Sequence, residues 1–120
     1  MINNVKKEKI MTHKSIQITD GNWTKEIQDY KGVAFVDIWA PWCAPCRMIG
    51  PVVEELAHVY VNKVKICKLN ADENRKPAEL SVSGIPTMLI FKNGQEVDRI
   101  VGVVPKQSLV EKLDYYLMAN

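Results

Sequence analysis

From Ser15 onward the chain switches between two hydrophobic periods. Ser15 to Thr19 sets Ile16 and Ile18 against Ser15, Gln17 and Thr19, an alternation that predicts a short, half-buried edge strand. Asp20-Gly21-Asn22 offers cap and turn chemistry, and Trp23, Ile27 and Tyr30 then stand at helical spacing until Lys31-Gly32. Val33 to Ala40 is apolar almost throughout and rich in β-branched and aromatic residues, as a strand covered on both faces must be; Asp37 is the exception. Pro41 closes that strand. From Cys43 to about Tyr60, Ile49, Val52, Val53, Leu56, Val59 and Tyr60 keep a helical period, and Pro51, which lacks an N–H, predicts a kink inside it. Val64, Ile66 and Lys68 alternate with Lys65, Cys67 and Leu69 in a further internal strand. The loop Asn70 to Lys76 follows, and Pro77 suits the first position of a short helix to about Val82. Gly84-Ile85-Pro86-Thr87 interrupts the chain before a strand from Met88 to Phe91. Asn93-Gly94 signals a hairpin into an antiparallel strand, Glu96 to Val101. Pro105 opens a last helix in which Leu109, Leu113, Tyr116 and Leu117 share a face.

The predicted order is therefore β-α-β-α-β-α-β-β-α. Strands alternating with helices imply parallel pairing, and the closing hairpin adds antiparallel edges: an α/β fold with a mixed sheet and helices on both faces. One domain accounts for 120 residues. The first fourteen, MINNVKKEKIMTHK, show neither period and are expected to form a flexible tail, leaving 15–120 as the folded unit. A composition of 47% hydrophobic and 25% charged residues excludes a disordered, collagen-like or coiled-coil chain. Sixteen Lys and Arg against fourteen Asp and Glu leave a net charge of +2, too balanced for a dedicated nucleic-acid binder. No apolar run approaches the ~18–20 residues that cross a bilayer. Met1–Met11 carries Lys6, Lys7, Glu8 and Lys9 where a signal peptide would need an apolar stretch, so no membrane partner and a cytoplasmic location are expected. Three cysteines are too few for a disulfide-stapled secreted scaffold, so any disulfide should be chemical rather than structural.

The chemistry lies in Cys43-Ala44-Pro45-Cys46, where a buried strand ends and a helix begins. Two sulfurs three positions apart in a first helical turn close a small ring with little distortion. The first sulfur also faces unpaired helix N–H groups and the positive end of the helix dipole, which favour thiolate over thiol. Cys43 is thus the candidate nucleophile, and Cys46, one turn in, the shielded thiol that resolves a mixed disulfide. Pro45 lacks a donor and stiffens the ring. The competing reading, structural zinc, needs four ligands, whereas the chain adds only Cys67, His13 in the tail and His58 on the outer part of a helix.

DIWAPWCAPCRMIGP, CKLNADEN, SGIPTMLIFKNG and IVGVVPK together resemble the thioredoxin family over Ser15 to Leu117. The resemblance implies the thioredoxin fold, a central mixed five-stranded β-sheet flanked by four α-helices. It implies a monomeric carrier whose dithiol reduces disulfides in client proteins and is recharged by thioredoxin reductase, an NADPH-dependent flavoprotein, with no cofactor or metal on the chain itself. By position, Cys43 matches the attacking thiol, Cys46 the resolving thiol, Asp37 the buried carboxylate, Lys68 its neighbour and Pro86 the cis-proline facing the dithiol. Trp42, Ala44, Pro45, Gly84, Ile85, Gly102 and Val103 match the rim that receives a substrate backbone. Two positions depart from the family: Ala44 stands where glycine is commonest, and Cys67 where a small apolar residue is expected. The segment before Met11 has no counterpart.

An ionised Asp37 in an apolar strand is expensive, so its presence asks for a role: a structural hydrogen bond, or proton acceptor for Cys46, directly or through water. Trp39 reads as core, Trp42 as an exposed platform and Cys67 as a small buried hydrophobe. Two other functions remain open on the sequence, a disulfide oxidase or isomerase and a thioredoxin-fold binding subunit of a larger complex.

Overall fold

A computed structural model of the chain describes residues 13–119. Nine elements follow the predicted order: β1 (Ile16–Ile18), α1 (Thr24–Gln28), β2 (Val33–Trp39), α2 (Ala44–Val59), β3 (Val64–Asn70), α3 (Lys76–Glu79), β4 (Thr87–Lys92), β5 (Gln95–Val101) and α4 (Lys106–Met118). The sheet runs β1-β3-β2-β4-β5; β3 pairs in parallel with β1 and β2, and β4 pairs antiparallel with both β2 and β5. The apolar run of β2 is thereby central, with both faces covered, and the alternating β1 lies at an edge with Ile18 buried and Ile16 half exposed.

Two cores form, one on each face. Val33, Phe35, Ile66, Met88 and Ile90 meet Ile49, Val53 and Leu56 of α2 and Leu109 and Leu113 of α4. Ala34, Val36, Ile38, Cys67, Leu69 and Leu89 meet Trp23 and Ile27 on the opposite face, with Leu80 and Val82 packed alongside. Alternation along β2 therefore sends Asp37 to the α2 face with Phe35, and alternation along β3 sends Cys67 to the other.

Several local expectations are corrected. The first helix is a single wide turn, closed by the Asp29 N–H on the Thr24 carbonyl at 2.8 Å. Asp20 does not cap it; its carboxylate accepts from the Arg75 and Lys76 N–H groups at 2.8 and 3.0 Å and so caps α3. Those N–H groups hold the Asp20 carboxyl below the usual carboxylate range. α3 stops at Glu79 instead of Val82 because Ser81 adopts a positive φ of 59°, and Arg99 takes the Leu80 and Ser81 carbonyls at 2.8 and 3.2 Å. On α4, Leu109 and Leu113 are buried but Leu117 turns outward. The hairpin turn uses Asn93 and Gly94 at φ 52° and 82°, and a Cβ at Gly94 would meet the Gln28 carbonyl at 2.1 Å. Of the expected tail, residues 1–12 lie outside the described residues. His13 stacks on His58, with ring centroids 5.6 Å apart. Among the described residues no helix is long and apolar enough to cross a membrane.

Candidate functional site

Val33–Trp39 delivers the chain to one end of the sheet, where Ala40, Cys43 and Cys46 form a small buried cluster flanked by Trp39 and Ile85. Cys43 is the N-cap of α2 in extended conformation, and its Sγ accepts the Cys46 backbone N–H at 3.2 Å. One of the unpaired N–H groups of the helix start therefore points at the first sulfur, as the spacing requires. Cys43 and Cys46 are joined by a disulfide, with Cα atoms 5.2 Å apart. Both residues are buried, 3% and 4% exposed, so what separates them is position at the helix start. Trp42, Ala44 and Pro45 around them are exposed.

The thioredoxin family model matches residues 14–115. The chain belongs to the thioredoxin family. Thioredoxin 1 of a Nostoc species is 47% identical over 102 residues, covering 84% of this chain and 95% of the relative. Thioredoxin 2 of Chlorobaculum tepidum is 48% identical over 108 residues (89% and 99%), and the thioredoxin of Staphylococcus haemolyticus 48% over 103 residues (85% and 97%). With the Cys43–Cys46 disulfide, this makes the chain a thioredoxin-type protein-disulfide oxidoreductase working by dithiol–disulfide exchange. Family membership implies thioredoxin reductase and disulfide-bearing clients as its general partners.

Ile85 packs against the thioredoxin dithiol and leads into Pro86. The Ile85–Pro86 peptide is cis. The Gly102 N–H donates to the Pro86 carbonyl at 2.8 Å, and the Thr87 hydroxyl to the Gly84 carbonyl at 2.5 Å. Gly102 takes φ 90°, and Val103 beyond it is 44% exposed. Asp37 lies in register with Lys68 on β3 and Met88 on β4, fully buried, and neither carboxylate oxygen has a hydrogen-bond partner among the described residues. Burial pushes its pKa up to about 7, opposed by Lys68 and reinforced by the negative charge of Glu54. The Lys68 ammonium sits over the Trp39 ring, 4.7 Å from its centroid, and Trp39 in turn packs against the cysteine cluster.

Sequence reasoning missed two participants. Asp72 accepts the Trp42 indole N–H on both carboxylate oxygens at 3.0 Å and so fixes the exposed ring. Glu54 adds charge near Asp37, while its own oxygens accept the Ser15 N–H and hydroxyl at 2.9 and 2.7 Å. No spacing rule links Trp42 to Asp72 or Asp37 to Glu54, so only the fold could show either contact. Conversely, Cys67 is fully buried on the opposite face, its thiol pushed up to about 12 by burial, and His58 lies in the last turn of α2. Neither approaches the dithiol.

Proposed function

We propose that this chain is a general protein-disulfide reductase in which Cys43 attacks and Cys46 resolves, with Asp37 as proton acceptor and Lys68 beside it. The observation that carries the assignment is the Cys46 N–H aimed at Cys43 Sγ at the α2 N-terminus: a helix start stabilises a thiolate, and each pH unit by which it lowers that thiol's pKa is about 1.4 kcal/mol. The Cys43 thiolate attacks one sulfur of a client disulfide, forming a Cys43–client disulfide and releasing the other client sulfur as thiolate. Cys46 loses its proton to Asp37 and attacks Cys43 Sγ, giving the Cys43–Cys46 disulfide and a second client thiolate. Two electrons have then passed to the client. A carboxylate with a pKa near 7 exchanges protons with a thiol at neutral pH, unlike an ordinary aspartate.

An extended client segment docks across Trp42, Ala44, Pro45, Gly84, Ile85, Pro86, Gly102 and Val103, of which Pro86 is buried, Ile85 and Gly102 half-buried and the others exposed. Trp42 offers an apolar platform, and Pro86 leaves neighbouring backbone groups free to pair with a substrate strand. The electron source in this reading is an NADPH-dependent flavoprotein thioredoxin reductase, the working form is a monomer with residues 15–120 as its single domain, and the compartment is a reducing cytoplasm. The test is insulin reduction by the chain with a thioredoxin reductase and NADPH. Turnover that requires both cysteines is expected; client binding without NADPH oxidation would make the chain a binding subunit.

A further inference from the structure

The sheet has a step at the end of α2 furthest from the dithiol. β1 joins β3 only from Ile16, opposite Cys67, so among the described residues Val64, Lys65 and Ile66 have β2 on one side and no strand on the β1 side. Residues 13–15 turn onto α2 instead, where Ser15 is clamped by Glu54 and His13 stacks on His58. The step is a cleft of about 460 Å³, within the size range of small-molecule sites. Ile16, Val61 and Ile66 give it an apolar floor, and Ile16 remains 38% exposed.

Among the described residues Lys14, Lys63 and Lys65 are the charged side chains that line the cleft, with His13 beside them and no carboxylate. Lys65 is already committed, 2.9 Å from Glu26 and over the Tyr30 ring at 4.0 Å. Lys14 and Lys63 take part in no ion pair among the described residues. A cationic ligand would bring like charge to these ammonium groups, and an inorganic anion would leave the apolar floor wet. A ligand with one anionic head and an apolar body satisfies both halves.

We propose that this cleft binds a small amphipathic anion, its carboxylate or phosphate head held by Lys14 and Lys63 and its body lying on Ile16, Val61 and Ile66. Ala57, which also lines the cleft, is eleven residues along α2 from Cys46, about 16 Å at the helical rise, so an occupied cleft leaves the dithiol rim free. The site is independent of the roles assigned to the cysteines.

The full chain is titrated with octanoate and with octyl phosphate while amide chemical shifts are followed; octanol and inorganic phosphate serve as controls. Saturable shifts confined to residues 13–16, 30 and 57–66 are expected with at least one anionic amphiphile, the tighter of the two identifying the head group, and neither control should match it. Lys14→Gln with Lys63→Gln should weaken binding about tenfold, as loss of two exposed charge contacts implies, while insulin reduction stays at the parental rate. Absence of saturable shifts with both amphiphiles, shifts centred on Trp42, Ile85 and Val103, or equal binding of octanol would each overturn the proposal. So would unchanged affinity in the double variant.

Discussion

Replacing Asp37 with asparagine separates what this carboxylate does for chemistry from what it does to the fold. Its side chain is fully buried without a hydrogen-bond partner among the described residues, and burial lifts its pKa from 3.8 to about 7. Between those two values the native state holds a proton that the unfolded chain has released, so stability falls as pH rises through that window. The favourable contribution is fully present below about pH 4 and lost once pH has passed about 7. At about 1.4 kcal/mol per pH unit, three units make roughly 4 kcal/mol. Asp37→Asn has similar volume and no charge to desolvate. It should match the parent near pH 4 and exceed it by up to about 4 kcal/mol at pH 8. Urea melts of the oxidised proteins at pH 4, 6 and 8 read this directly, provided the m-values agree. Insulin reduction by the same variant should fall by at least about tenfold, since nothing takes the proton from Cys46. A variant less stable than the parent at pH 8, together with parental turnover, would make Asp37 a structural residue and refute the reasoning.

Cys67→Ala should lower stability by about 1 kcal/mol through lost packing and leave insulin reduction unchanged. In the reduced parent, mild alkylation read by mass spectrometry should label Cys43 first, because burial holds the Cys67 thiol near 12; preferential labelling of Cys67 would contradict that. Trp42 is 67% exposed, so Trp42→Ala should leave the melting temperature within a few degrees while raising KM for insulin several-fold; an unchanged KM would remove Trp42 from the docking rim. The Tyr60 hydroxyl donates to Asp114 at 2.7 Å, joining the end of α2 to α4, and Tyr60→Phe should cost about 1 kcal/mol in a urea melt with no change in turnover.

Long periodic segments were legible because burial and period coincide in them. β2 is apolar because both its faces are covered, and α2 keeps its stripe because Ile49, Val53 and Leu56 all face the sheet. The short elements were not legible to the residue, because contacts from elsewhere end them. Arg99 on β5 holds the exit of α3, and Asp20 caps its start from more than fifty positions away. In the site, the C-x-x-C spacing at a strand-to-helix junction already specified which sulfur meets the helix N–H groups. The Trp42–Asp72 contact and the step at β3 were out of reach. One depends on how a loop folds back, the other on where β1 stops.

The central claim is the division of labour between Cys43 and Cys46, and trapping tests it most directly. Each single serine variant is incubated with oxidised client protein, quenched with acid and alkylating agent, and run on a non-reducing gel. Cys46→Ser retains the thiol at the helix start and lacks the one that resolves, so covalent client complexes should accumulate and disappear on adding dithiothreitol. Cys43→Ser should trap none. Equal trapping by both variants, or trapping by Cys43→Ser alone, would contradict the account.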